Sequence, residues 1–164
     1  MRYNLIREMD IANGPGVRVS VFMQGCHFHC KNCFNEETWD FDKGEEFTDE
    51  TIDKVLELCN KDYIKGLSIL GGEPMHPTNI EGTTKLAKAF KEKYPNKNLW
   101  VWTGYKYGET LKDKDVFKYI DVLVDGQYVD ELHDFRLKWR GSSNQRVIDM
   151  KNTLKGNKIV TLED

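Results

Sequence analysis

A short segment near the start of the chain holds three of its four cysteines within reach of one another. Three residues separate Cys26 from Cys30, and two separate Cys30 from Cys33. Thiolates at this spacing suit an iron–sulfur cluster or zinc, and a closed structural site normally takes four protein ligands. Because no second group of cysteines supplies the fourth ligand, we expect one metal position to stay open to a ligand from outside the protein.

Two other interpretations of this segment remain open. His27 and His29 alternate with the cysteines, so a zinc site with both Cys and His ligands is chemically feasible. A cysteine-rich turn that keeps its thiols reduced and binds no metal is the second alternative. The fourth cysteine, Cys59, falls at helical spacing after Ile52 and Val55, so we expect it in the core rather than at a metal.

The composition favours one domain, spanning 1–164, and argues against several other classes of protein. A chain of 164 residues is long enough to build a core without disulfides. The net charge of −3 is spread over interspersed charges, which gives no general attraction for nucleic acid. The residues after Met1 lack the apolar core of a signal peptide, and no apolar run matches a membrane span. We therefore expect a cytoplasmic protein whose thiols stay reduced.

Strand and helix patterns alternate along the chain. A period of two from Val17 to Met23 predicts a strand that ends in the cysteine segment. Further strands are predicted over 66–70, 98–102, 121–124, 145–150 and 158–162. Helices are predicted from Thr48, which is a favourable capping residue, and over 80–94 and 109–119. No regular element is predicted over 1–13, 35–47 and 129–144.

This alternation predicts an α/β fold with right-handed crossovers and a mainly parallel sheet. At about 30 residues for each strand-helix-strand unit, the chain is too short for an eightfold barrel. We therefore expect an open partial (β/α) barrel. The carboxyl ends of parallel strands face one side of such a sheet, and ligands bind there.

One further motif at a predicted strand end is the turn Gly71-Gly72-Glu73-Pro74. Gly71 and Gly72 have no side chain, so a ligand can approach the backbone closely, and Pro74 favours an extended conformation at Glu73. Glu73 can then offer a carboxylate and backbone groups to the ammonium of an amino acid. Taken alone, so short a motif is also typical of an ordinary glycine turn.

Two more predicted strands end in short polar turns. Thr103 follows one of them and Asp125 follows the next, so both are expected at the same mouth as the cysteines. There they would supply a neutral and an anionic oxygen to a ligand. Each is equally well explained as a turn-forming or helix-capping residue.

Together these segments resemble the radical S-adenosylmethionine (SAM) enzymes, and within them the glycyl radical enzyme activases. The cysteine spacing is that of the radical SAM cluster loop. The resemblance to the activases rests in addition on residues 13–18 and 22–25, on Asn35 and Trp39, and on the turn 71–74. Three later segments resemble the branch that activates anaerobic ribonucleotide reductases, namely 102–105, 125–128 and 140–146.

This resemblance implies a fold, two cofactors and a reaction. The fold is the open barrel of the radical SAM type. Cys26, Cys30 and Cys33 would hold three irons of one 4Fe-4S cluster, and SAM would bind the fourth. Reductive cleavage of SAM would then remove a hydrogen atom from a glycine of the partner, the large subunit of an anaerobic ribonucleoside-triphosphate reductase. Reduced flavodoxin or a similar donor would supply the electron.

The chain departs from the radical SAM pattern at one position. Many of these enzymes have an aromatic residue before the third cysteine that contacts adenine, whereas this chain has Asn32. The adenine contact is therefore unassigned, with Phe34 or a backbone group as candidates, and Asn32 and Phe34 both count as candidate cofactor-binding residues. The segment 140–146 has two readings, a surface turn or an arginine-containing site for SAM or the partner.

Two rival functions follow from the same residues. One is a radical SAM enzyme for a small molecule, of the deazapurine-forming synthase type. The other is a metal-binding or electron-carrier module without catalytic activity.

Overall fold

The computed structural model describes residues 1–162, and within them seven strands form one sheet. The strands are β1 (Arg2–Asp10), β2 (Val17–Gln24), β3 (Glu45–Glu46), β4 (Ile64–Gly71), β5 (Asn98–Trp102), β6 (Val122–Asp125) and β7 (Arg146–Asp149). The helices are α1 (Asp49–Leu58), α2 (Ile80–Lys93) and α3 (Met150–Gly156). Short 3-10 turns occupy Glu36–Thr38, Asp115–Tyr119 and Asp130–Leu132.

The centre of the sheet is parallel and its margins are antiparallel. The strand order is β3-β1-β2-β4-β5-β6-β7. Strands β2, β4, β5 and β6 pair in parallel, whereas β1, β3 and β7 pair with their neighbours in antiparallel orientation. The predicted α/β class and parallel centre are confirmed, but the sheet as a whole is mixed. Its four parallel strands direct their carboxyl ends to one edge.

Helix α1 begins and packs as its sequence predicts. Thr48 caps α1 through a reciprocal pair of bonds, because its Oγ1 accepts the Thr51 amide and Thr51 Oγ1 accepts the Thr48 amide. The apolar side of α1 is buried against the sheet. Cys59 follows directly, is fully buried and belongs to the main core, which confirms the core prediction.

Three predictions of regular structure are wrong or incomplete. Within 109–119 only Asp115–Tyr119 is helical, and it is a 3-10 turn, because Asp113 has a positive φ of 57° that interrupts any longer helix. Within 158–162 only Thr161 forms a bridge, to Ile148. The strand predicted over 145–150 ends at Asp149, whose side chain accepts the Asn152 amide and starts α3.

Strand β1 was not predicted, because its sequence lacks a regular alternation of apolar and polar residues; four of its nine residues are exposed and two are buried. Pairing with β2 stabilises it instead.

The two faces of the sheet are covered by different parts of the chain. The face that carries Val19 and Val21 lies under the helices in the main core. The opposite face carries Trp100 and Val124, which form a smaller cluster with Trp139. No helix within residues 1–162 is long and apolar enough to cross a membrane.

Candidate functional site

A cavity of about 460 Å³ lies at the carboxyl edge of the parallel strands. It brings together most of the residues that the sequence singled out, which are Cys26, Cys30, Cys33, Phe34, Gly71, Gly72, Glu73 and Thr103. Asn32, Pro74 and Asp125 do not line it. The strand ends that the sequence placed at one mouth therefore do meet there.

The cysteine segment is held from behind by residues 35–41. The Gly25 amide donates to Thr38 O at 2.6 Å, and the Cys26 amide donates to Trp39 O at 3.1 Å. Gly25 has a φ of 104°, and the Phe41 ring occupies the space that a Cβ at Gly25 would need. These contacts fix the direction in which the chain leaves β2 and enters the cysteine segment.

The three cysteines of this segment are free thiols and partly exposed. Burial raises the pKa of Cys26 to about 11, and burial also raises the pKa of Cys30. Metal binding must therefore displace protons from these thiols. The buried Cys59, whose pKa burial raises to about 12, does not line the cavity.

The two histidines of the segment are engaged by aromatic rings. The His29 ring stacks on Trp39 with centroids 4.4 Å apart, and the His27 ring lies 4.3 Å from Phe28. In the described part of the chain, no three His, Cys, Asp or Glu side chains converge on a single ion position. A four-iron cluster does not require such convergence, because each thiolate binds a different iron. Three free thiols lining one cavity fit that donor set.

The glycine turn after β4 packs directly against the start of the cysteine segment. The Gly72 amide donates to Met23 O at 2.9 Å, and the Glu73 amide donates to Gly25 O at 2.7 Å. Gly71 has a φ of 109°, and a Cβ there would lie 2.7 Å from Met23 N. A Cβ at Gly72 would lie 2.5 Å from Gly25 O. Both glycines are thus required by the close approach of two backbone segments.

The Glu73 carboxylate joins this turn to the one after β5. It is 1% exposed and accepts three hydrogen bonds, from the Met75 amide at 2.9 Å, Thr103 Oγ1 at 2.6 Å and the Gly104 amide at 2.6 Å. Burial raises the pKa of Glu73 to about 7, and the three donors oppose that rise. Thr103 therefore contributes to the site through Glu73.

Asp125 is fully buried in an ion pair beside the cavity. Its two oxygens accept from Arg146 Nη2 at 2.6 Å and Nε at 3.0 Å, and Oδ2 also accepts the Tyr107 amide. This bidentate geometry is the one that favours arginine over lysine. The guanidinium of Arg146 is therefore engaged by a residue of the same chain.

Asn32 and Phe34 contact the segment that follows β6. Asn32 has a φ of 58°, and its Nδ2 donates to Asp130 Oδ2 at 2.9 Å. Asp130 also accepts the Tyr128 hydroxyl. The Phe34 ring is 67% exposed and lies 5.3 Å from the Tyr128 ring. Phe34 and Tyr128 both line the cavity, so they form its aromatic side.

Five cavity residues were not singled out by the sequence, because they lie in the part of 129–144 that has no period and precedes the segment 140–146; they are His133, Asp134, Phe135, Leu137 and Trp139. Trp102 Nε1 donates to Trp139 O at 2.7 Å and ties this segment to β5. The Gln145 amide accepts from Gly141 and donates to Gly126 O. Arg140 Nη1 donates to Gln145 O at 2.6 Å. An aromatic residue within a polar stretch is the sequence feature that could have indicated that this segment belongs to the site.

Comparison with known proteins agrees with this site. The family model described as "4Fe-4S single cluster domain" matches residues 12–148. The fold and the three-cysteine site thus define a protein of the 4Fe-4S single cluster class. Relatives named anaerobic ribonucleoside-triphosphate reductase-activating protein occur in Enterobacteria phage T4, Vibrio cholerae and Escherichia coli.

These relatives match the chain over almost its whole length. The phage T4 protein is 42% identical over 147 residues, which cover 90% of this chain and 93% of the relative. The Vibrio cholerae protein is 42% identical over 88% of this chain and 96% of its own. The chain belongs to the family of anaerobic ribonucleoside-triphosphate reductase-activating proteins.

Proposed function

We propose that this protein activates an anaerobic ribonucleoside-triphosphate reductase by forming a glycyl radical on its large subunit. The observation that carries the proposal is the placement of Cys26, Cys30, Cys33 and the turn 71–74 around one cavity. Three thiolates without a fourth protein ligand leave room for an exogenous ligand on the metal. The names of the relatives supply the partner.

Cys26, Cys30 and Cys33 would hold three irons of a 4Fe-4S cluster, and SAM would be the ligand of the remaining one. When bound, the cluster would supply a low-potential electron for the reductive cleavage of SAM, which would lead to removal of hydrogen from a glycine α-carbon of the reductase. Reduced flavodoxin or a similar protein is the proposed electron donor. The reducing cytoplasm, where we place the protein, keeps the thiols free for metal.

The chain's own residues then bind and orient SAM. The turn 71–74 receives the methionine part, because its backbone lies against the segment that leads into Cys26. Glu73 fixes this turn to Gly104 and places a buried carboxyl group beside the turn that would receive the methionine part of SAM. The exposed face of Phe34 would offer adenine an aromatic contact, and Asn32 holds the loop on Asp130.

Thr103 and Asp125 act mainly by fixing the strand ends that surround SAM. Thr103 donates to Glu73, and Asp125 holds Arg146 and the Tyr107 backbone. An open partial barrel of the radical SAM type would leave one side of the cavity accessible to a protein loop. The parallel pairing of β2, β4, β5 and β6 is compatible with such a barrel.

Anaerobic reconstitution with iron and sulfide, followed by SAM and a reductant, tests this function. We expect methionine and deoxyadenosine as products, and a glycyl radical signal in electron paramagnetic resonance (EPR) spectra when the reductase is added. SAM cleavage without a radical on the reductase would favour an enzyme for a small molecule. Bound zinc, or a cluster whose spectrum ignores SAM, would favour a metal-binding or electron-carrier module.

A further inference from the structure

Asn79 directly precedes α2, and its backbone is already in the helical region, with φ of −107° and ψ of −24°. A capping residue normally has an extended backbone, and the Asn79 side chain makes no capping hydrogen bond. The side chain is directed instead into the protein, where Asn79 is 0% exposed.

The Asn79 amide bridges the two segments that form the site. Its Nδ2 donates to Gln24 O at 3.1 Å and to Glu73 O at 3.0 Å. Gln24 is the last residue of β2, two residues before Cys26, and Glu73 belongs to the glycine turn. Since both acceptors are carbonyl oxygens, the group that faces them must be the NH₂ donor, which fixes the orientation of the amide.

The oxygen at the opposite end of this amide is in an unfavourable environment. Asn79 Oδ1 is buried and has no hydrogen-bond partner among the described residues. A buried acceptor without a donor is unfavourable. Local rules that are broken in this way are typical of sites kept for function.

We propose that Asn79 is a positioning residue that fixes the distance between the cysteine segment and the turn 71–74. Two backbone bonds already join them, from Gly72 to Met23 O and from Glu73 to Gly25 O. Asn79 adds a third connection, carried by a helix that packs in the core. The positioning role of Asn79 is independent of the proposed function. Its consequence, that the turn presents SAM to the cluster at a fixed separation, rests on that function.

Hydrogen exchange of the Gly72 and Glu73 amides in the SAM-free protein tests the role directly. In Asn79→Ala we expect both amides to exchange about tenfold faster or more, because the joint opens locally. Thr48→Ala is the matched control, since it removes a true cap from α1 whose side-chain hydrogen bonds go to Thr51 and not to the joint. It should lower stability but change exchange at both amides by less than about twofold.

Asn79→Ser is the second variant. Serine keeps a polar side chain at this position but is too short to reach both carbonyls, so the fast exchange should persist. Exchange at Gly72 and Glu73 within about twofold of wild type in both Asn79 variants would overturn the proposal.

SAM affinity provides the second readout, from the SAM-induced change in the EPR spectrum of the reduced cluster. Both Asn79 variants should bind SAM about fivefold more weakly or worse, with wild-type iron content. Faster exchange with unchanged SAM affinity would overturn the consequence for SAM. A wild-type protein that ignores SAM would contradict the proposed function, while the exchange data would still decide the role of Asn79.

Discussion

The Thr103 hydroxyl donates a 2.6 Å hydrogen bond to Glu73 Oε2, and this contact joins the ends of β4 and β5 beneath the cavity. The two residues are 30 positions apart in the chain and both are buried. Burial without a counter-ion disfavours a carboxylate, so each donor to Glu73 carries unusual weight. The turn that we propose for SAM is therefore held in place by its neighbouring strand.

Replacement of this hydroxyl should be costly. Thr103→Val keeps the shape of the side chain but removes one donor to Glu73 and the acceptor of the Tyr105 amide. We expect a loss of about 1.5–3 kcal/mol in the free energy of unfolding, measured by urea denaturation. Thr84→Val is the control, because Thr84 Oγ1 donates only to Ile80 O within α2, and its effect should stay within about 0.5 kcal/mol. Equal losses would contradict this role of Thr103.

The cysteines should divide into two classes in reconstitution. Cys26→Ala, Cys30→Ala and Cys33→Ala should each fail to retain a four-iron cluster, because two thiolates are too few to hold it. Cys59→Ala should keep the wild-type iron and sulfide content, since Cys59 is buried in the core. Iron and sulfide analysis of each variant decides the matter. Comparable iron loss in Cys59→Ala would invalidate the ligand assignment.

The two glycines Gly71 and Gly156 should respond oppositely to alanine. Gly71 has a φ of 109° and no space for a Cβ beside Met23, so Gly71→Ala should cost about 1–3 kcal/mol and loosen the turn. Gly156 ends α3 with no atom near its Cβ position, so Gly156→Ala should be neutral or stabilising by about 0.5 kcal/mol. Urea denaturation measures both. A tolerated Gly71→Ala would show that this backbone can relax.

Removal of Arg146 should leave an unpaired buried charge. Asp125 is fully buried, so Arg146→Ala should destabilise the protein by about 3–5 kcal/mol. Arg136→Ala is the matched control, because Arg136 also pairs with an aspartate but its side chain is 90% exposed. No measurable change in thermal stability is expected there. If Arg146→Ala melted like wild type, Asp125 would need another source of neutralisation.

Asp121 should make stability depend on acid pH. Burial raises the pKa of Asp121, but hydrogen bonds from Lys91, the Leu99 amide and Lys151 outweigh it and hold the pKa below its ordinary value of 3.8. A carboxylate of this kind stabilises the fold above its ordinary pKa, and that contribution is lost as the pH falls through the folded value.

The variant Asp121→Asn removes this contribution. It should be less stable than wild type by about 1–3 kcal/mol near pH 7. The difference should shrink as the pH is lowered to about 3. Denaturation at several pH values measures it, and a difference that stays constant with pH would exclude this explanation.

Residue patterns alone determined a large part of this protein. The period of two in β2, the cap at Thr48 and the apolar side of α1 are local signals, and they predicted these elements correctly. The cysteine spacing likewise indicated a cluster site before any contact was known. Such features depend on residues that are close in the chain, and for this reason they can be predicted from the sequence.

Tertiary structure decided the rest. Strand β1 is held by its hydrogen bonds to β2, and its sequence lacks the alternation of apolar residues that predicts a strand. Asn79 directly precedes α2, yet its side chain is directed inward, where Gln24 O and Glu73 O accept hydrogen bonds from its amide. Asp125 forms an ion pair with Arg146, which lies 21 positions later in the chain. Pairing between distant residues sets these roles, and no local pattern encodes the partner that a polar side chain will meet.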